Sequence, residues 1–167
     1  MTVIDVPQSA TTPRPTARAV GVAGTTAYLS SIPRSSRPVT LQGNLWYRAW
    51  IEQSLNGLLA LPPGWDGHRA SRVTYRAVTT LMDVLQSLLT PASVPPQFVP
   101  LPDGGVQAEW LVGGDSLEIE VSGEGEAFVF GVDADGGVAV EGDPDAQVLG
   151  AAARRLSYLS ERVGAFA

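Results

Sequence analysis

The stretch Asp103–Val121, DGGVQAEWLVGGDSLEIEV, decides the fold. Val106, Ala108, Trp110 and Val112 alternate with Gln107, Glu109 and Leu111, and Leu117, Ile119 and Val121 alternate with Glu118 and Glu120. Successive strand side chains point to opposite faces, so this period predicts two strands with one apolar face and one face carrying carboxylates. Gly113, Gly114 and Asp115 between them suit a tight hairpin connection with positive φ. Asp103 with Gly104 and Gly105 marks a second turn just before the first strand. An antiparallel sheet of this kind needs a cover for its dry face.

Helical periods on either side supply that cover. Trp46, Tyr47, Trp50, Ile51, Leu55, Leu58 and Leu59 recur at three- and four-residue steps within Leu41–Leu61, with Asn44 as N-cap and Pro62 and Pro63 as the stop. The two tryptophans are expected to pack in the core, an aromatic ligand platform being the alternative. A second helix is expected from Ser71, its cap, to about Leu89, with Thr74, Ala77, Val78, Leu81, Val84, Leu85 and Leu88 on one stripe. A third is expected after Asp143 as N-cap and Pro144 at the first position, burying Leu149, Ala152, Leu156, Leu159 and Val163. Its Arg154, Arg155 and Arg162 favour the helix dipole and can face the acidic strands. Gln97–Pro100 reads as an edge strand because of Pro100. Ala127–Val132 and Val138–Val140 read as two more strands, joined by DADGG at Asp133–Gly137. That segment is half of a calcium loop without its remaining ligands, so it reads as a hairpin turn.

The predicted fold is therefore α+β: an antiparallel sheet of four or five strands, covered on one face by two N-terminal helices and a C-terminal helix. It occupies residues 41–167 as one domain. Residues 1–40 form a Pro/Ser/Thr-rich tail, expected to be flexible alone, which is either a dispensable linker or a segment that docks on the domain's own surface or on another chain through the apolar anchors Val20, Val22, Tyr28, Leu29 and Ile32.

Composition narrows the function. Cysteine is absent, which excludes disulfides, thiolate metal sites and a cysteine nucleophile. All 11 basic residues are arginine, so lysine catalysis is excluded too. No nucleotide-binding loop, serine elbow or zinc-protease motif occurs, and neither a metal nor a cofactor is expected. No run is long enough to span a membrane, and the N-terminus lacks a secretion signal, so the chain reads as cytoplasmic or delivered by something it does not encode.

Net charge is −6, unevenly spread. Arg14, Arg18, Arg34 and Arg37 against Asp5 make residues 1–40 carry +3, whereas Asp103–Asp145 holds twelve acidic residues and no basic one. That segment is either a solvated sheet face or a surface for a basic partner, with Glu118 and Glu120 as contact residues. Direct nucleic-acid binding by it is disfavoured, because phosphate would be repelled.

In LPPGWDGHRA, at Leu61–Ala70, Trp65 is expected to plug the core at a helix corner and Asp66 to cap backbone amides. His68 is the only histidine. Asp66, His68 and Glu109 are the weak catalytic candidates, and a carboxylate pair such as Asp66 with Glu109 could bind a divalent metal or share a proton.

WDG at Trp65–Gly67, a helix, DGG-x3-EW at Asp103–Trp110 and LEIE at Leu117–Glu120 together form a pattern over roughly residues 55–125. It resembles one found in small uncharacterised bacterial proteins. In that pattern an aromatic and small residues follow WDG, where His68 and Arg69 stand here. The resemblance implies an α+β fold and carries no activity. The functional expectation is a non-enzymatic interaction or assembly subunit of a bacterium or phage, such as an antitoxin-like or immunity-like neutralising protein. Its partner would be a protein with a basic surface or further copies of the chain itself. The alternative is a small hydrolase or metal-dependent enzyme using Asp66, His68 and Glu109.

Overall fold

Among the described residues five strands form one antiparallel meander in the order β1-β2-β3-β4-β5, with three helices packed against it. The structure is a computed structural model and describes residues 46–165. The strands are β1 (Gln97–Pro100), β2 (Val106–Val112), β3 (Asp115–Val121), β4 (Ala127–Val132) and β5 (Val138–Gly142). The helices are α1 (Arg48–Leu59), α2 (Tyr75–Leu88) and α3 (Ala146–Ala165). The expected tail, its anchors Val20, Val22, Tyr28, Leu29 and Ile32, and the expected cap Asn44 all lie outside the described residues.

The β2–β3 hairpin has the predicted faces. Val106, Ala108, Trp110, Leu117, Ile119 and Val121 are all buried, and the register sets Ala108 opposite Ile119 and Trp110 opposite Leu117. The connection is shorter than expected. Gly113 and Gly114 alone take positive φ, at 59° and 92°, as a two-residue hairpin loop requires. Asp115 has already joined β3 opposite Val112, and it is 2% exposed.

The helices bury one sheet face. Ile51 and Leu55 of α1, Val78, Leu81 and Leu85 of α2, and Leu156 and Leu159 of α3 form one core with Val106, Ile119 and Val129. Trp110 is pinned inside it by an Nε1–H bond to the Val94 carbonyl at 2.9 Å. Buried apolar area of this kind is the main favourable term in folding.

The starts of α2 and α3 differ from the sequence reading. On α2 the cap is Thr74, not Ser71, and its hydroxyl accepts from Ala77 N at 3.0 Å. The Ser71 and Thr74 amides are already committed to the Pro102 and Gly104 carbonyls, so the chain stays extended until Thr74. On α3 the cap is Asp145, not Asp143: its Oδ1 accepts from Val148 N at 2.8 Å and its carbonyl from Leu149 N. A tight Asp145 N to Asp143 O bond places Pro144 in the turn before the helix. Val163, near the end of α3, is 39% exposed and falls off the buried stripe.

On α1 the tryptophans depart from the core reading. Trp46 is 74% and Trp50 44% exposed, while Tyr47, Ile51 and Leu55 are buried. Each step of one residue rotates a helical side chain by about 100°. The i, i+4, i+8 series starting at Tyr47 takes the inward face and leaves the series starting at Trp46 beside it.

Candidate functional site

The WDG turn is closed by its own backbone. Gly64 N donates to Ala70 O and Gly67 N to Gly64 O, with Gly67 at φ 81°. Asp66 Oδ1 accepts from His68 N at 2.8 Å and Ala70 N at 3.2 Å, as the sequence predicted for a capping aspartate. The His68 N–H is the main reason the Asp66 carboxyl is held below its ordinary pKa. A general acid or base working near neutrality needs the opposite shift. His68 is exposed. Trp65 is half-buried outside the core and donates to the Ser71 carbonyl at 3.2 Å, so it braces the loop instead of plugging the helix corner.

The DGG turn meets this loop. Asp103 Oδ1 accepts from Gly105 N at 2.9 Å, and its Oδ2 from Gly123 N in the β3–β4 turn at 3.0 Å. The Thr74 hydroxyl donates to the Gly123 carbonyl at 2.9 Å. A Cβ on Gly105 would stand 2.3 Å from the Val121 carbonyl oxygen, so no side chain fits. Trp65–Gly67, Asp103–Gly105 and Thr74 thus form an architectural junction that ties the start of α2 to two sheet turns.

The face of the sheet away from the helices is different. The register places Glu109 directly opposite Glu118, and Gln107 opposite Glu120. Phe130 lies between Glu118 and Glu141, and Phe128 lies beside Glu120. Gln107 Nε2 reaches Glu109 Oε2 at 3.4 Å and Glu118 Oε2 at 3.3 Å, two long contacts shared by one amide group. Leu111 on the same face is 75% exposed. Like charges facing across a strand pair are destabilising. The core is built on the other face.

The three catalytic candidates therefore fall in two places. Asp66 and His68 share the WDG turn, while Glu109 sits on the helix-free face with Gln107 and Glu118. Among the described residues no hydrogen bond or ion pair joins Glu109 to either. No group of three or more His, Cys, Asp or Glu among them is arranged to hold a metal ion, and none of their helices is long and apolar enough to cross a membrane.

One buried cluster was not read from the sequence. Arg155 is 8% exposed and bonds Asp115 Oδ1 at 3.0 Å, Asp133 Oδ1 at 2.5 Å, the Ser116 carbonyl at 3.3 Å and the Val132 carbonyl. Arg162 completes it on Asp115 Oδ2, with Tyr158 stacked beside both guanidinium groups. Arg155 and Arg162 are seven residues apart, two helical turns, and so share a face of α3. Paired with the one acid next to the Gly113–Gly114 turn, that spacing was the available signal. The cluster locks α3 to the ends of two hairpins.

The described residues define a two-layer α+β domain with three helices on one face of a five-stranded meander. No family model, curated protein or solved structure matches the chain.

Proposed function

We propose that this chain is a non-enzymatic interaction subunit whose helix-free sheet face takes a basic protein surface. One observation carries the reading: Glu109 and Glu118 face each other across the strand pair, with Glu120 and Glu141 near them and Phe128 and Phe130 in the same cross-strand rows. A row of carboxylates of this kind favours a cationic partner over an anionic one and speeds its encounter. The two phenylalanines add the apolar area that charge alone lacks, because exposed ion pairs contribute little each. Phosphate would be repelled, so nucleic acid is not the ligand of this face.

In biological terms the chain acts as a small cytoplasmic accessory or neutralising protein of a bacterium or phage, antitoxin-like or immunity-like. Residues 1–40, with their opposite charge and apolar anchors, provide a second docking element for the assembly.

The test is capture from cells of the source organism, with the mass of the complex determined. The wild-type chain and a Glu118→Gln/Glu120→Gln variant are compared at low and high salt. The proposal expects a basic partner on the wild type that is lost from the variant and weakened by salt. Equal capture by both chains overturns it. The Asp66→Ala/His68→Ala/Glu109→Ala variant tests the hydrolase alternative: loss of a turnover that the wild type supports would favour an enzyme.

A further inference from the structure

A groove of about 430 Å³ runs between α1 and the outer edge of β1, walled by Trp50, Leu58, Pro95, Pro96 and Phe98. The Trp50 and Phe98 rings lie 5.8 Å apart. A second depression of about 240 Å³ adjoins it, since Pro95 and Gln97 line both. It leads over the end of β1 to Leu111 and Glu109 on the helix-free face. Among the described residues lining the two, Glu109 is the one ionisable side chain. The path therefore passes from an aromatic and proline-lined slot to a carboxylate.

We propose that this path receives an extended segment of the partner protein, with an aromatic, proline or aliphatic residue in the Trp50–Phe98 slot and an arginine or lysine on Glu109. It rests on the reading of the sheet face as a site for a basic partner, and it adds where that partner is anchored. Charge selects the occupant: an acidic segment would meet Glu109 and then Glu118. Geometry selects an extended one. Among the described residues β1 is an edge strand, paired to β2 on one side, and an edge of this kind accepts an extended chain lying alongside it. Trp50, 44% exposed on α1, suits both halves of such a segment, because an indole face packs on proline and attracts guanidinium groups.

The experiment selects a random peptide library displayed on phage against the full chain. It then measures the affinity of the enriched peptides for wild type, Ser54→Arg and Glu109→Gln. Ser54 lines the slot from α1 without belonging to the core, so an arginine there fills the slot and leaves the fold intact. Enriched peptides should combine an apolar or aromatic residue with a nearby arginine or lysine. Ser54→Arg should weaken them at least about tenfold, and Glu109→Gln by several-fold. Enrichment of acidic peptides, or unchanged affinity for both variants, overturns the proposal. So does a wild-type chain that dimerises while Ser54→Arg stays monomeric, which would make the groove a contact between copies. If Glu118→Gln/Glu120→Gln loses its cellular partner while Ser54→Arg keeps it, the sheet-face reading stands and the groove proposal alone falls.

Discussion

Asp115 and Arg155 form an ion pair at 3.0 Å with side chains 3% and 8% exposed. One comes from the first position of β3 and the other from the middle of α3. Asp115 also accepts from Arg162 and from Ala134 N, so its two oxygens serve three donors from two elements. Replacing it by alanine leaves the buried Arg155 with only the half-exposed Asp133 as a carboxylate partner. Breaking such a pair from one side costs about 3–5 kcal/mol. Asp115→Ala is therefore expected to lower the urea midpoint by an amount of that order, with the slope little changed.

Glu109 carries the opposite kind of charge placement. Glu109→Gln removes its repulsion with Glu118 and still offers Gln107 an acceptor. The variant should be as stable as wild type or more stable by about 0.2–1 kcal/mol, while binding its basic partner less well. Thermal midpoints and complex formation, measured on the same preparations, should move in opposite directions. A variant that loses both stability and binding would make Glu109 a structural residue.

Tyr47 is buried, and its hydroxyl donates to the Thr90 carbonyl at 3.1 Å. Burial pushes its pKa up, and a hydrogen bond with Ser93 offsets part of that rise. The folded state thus holds this proton more tightly than the unfolded chain does. Its contribution to stability is complete below the ordinary tyrosine pKa of about 10 and is lost as pH rises past it. Tyr47→Phe should cost about 0.5–1.5 kcal/mol at neutral pH for the lost hydrogen bond. Above about pH 10 the two stability curves should converge. Urea unfolding across the alkaline range measures this.

Deleting residues 1–40 tests the second docking element. The truncated chain should remain folded and soluble, with a thermal midpoint close to that of the full chain. Complex formation should be strongly weakened in size-exclusion chromatography with light scattering. Assembly as complete as that of the full chain would reduce the segment to a linker.

Much of the site was legible as composition but not as arrangement. Alternation assigned Glu109, Glu118 and Glu120 to the wet face, because a strand period of two leaves each side chain one of two directions. It could not pair Glu109 with Glu118, since cross-strand register depends on the hairpin loop being two residues long. Asp66 was read as a cap and is one, because that chemistry is local to a few residues. Trp65 and the α1 tryptophans were misread for the converse reason: a large apolar residue at helical or turn spacing carries no mark of which neighbour will cover it.

Sequence by itself determined the α+β class, the antiparallel hairpin, the β1 edge and the one-sided apolar pattern, all consequences of short-range period and turn chemistry. Only the tertiary structure decided which helix face turned inward, where each helix began and what became of the charges. Thr74 replaced Ser71 as a cap because distant carbonyls in the 102–104 turn claimed the Ser71 and Thr74 amides and kept the chain extended between them. Asp115 left the turn and became the centre of a buried cluster because α3 delivered two arginines to it from 40 and 47 residues away. Contacts over such separations are set by the packing of whole elements, which no window of the chain contains.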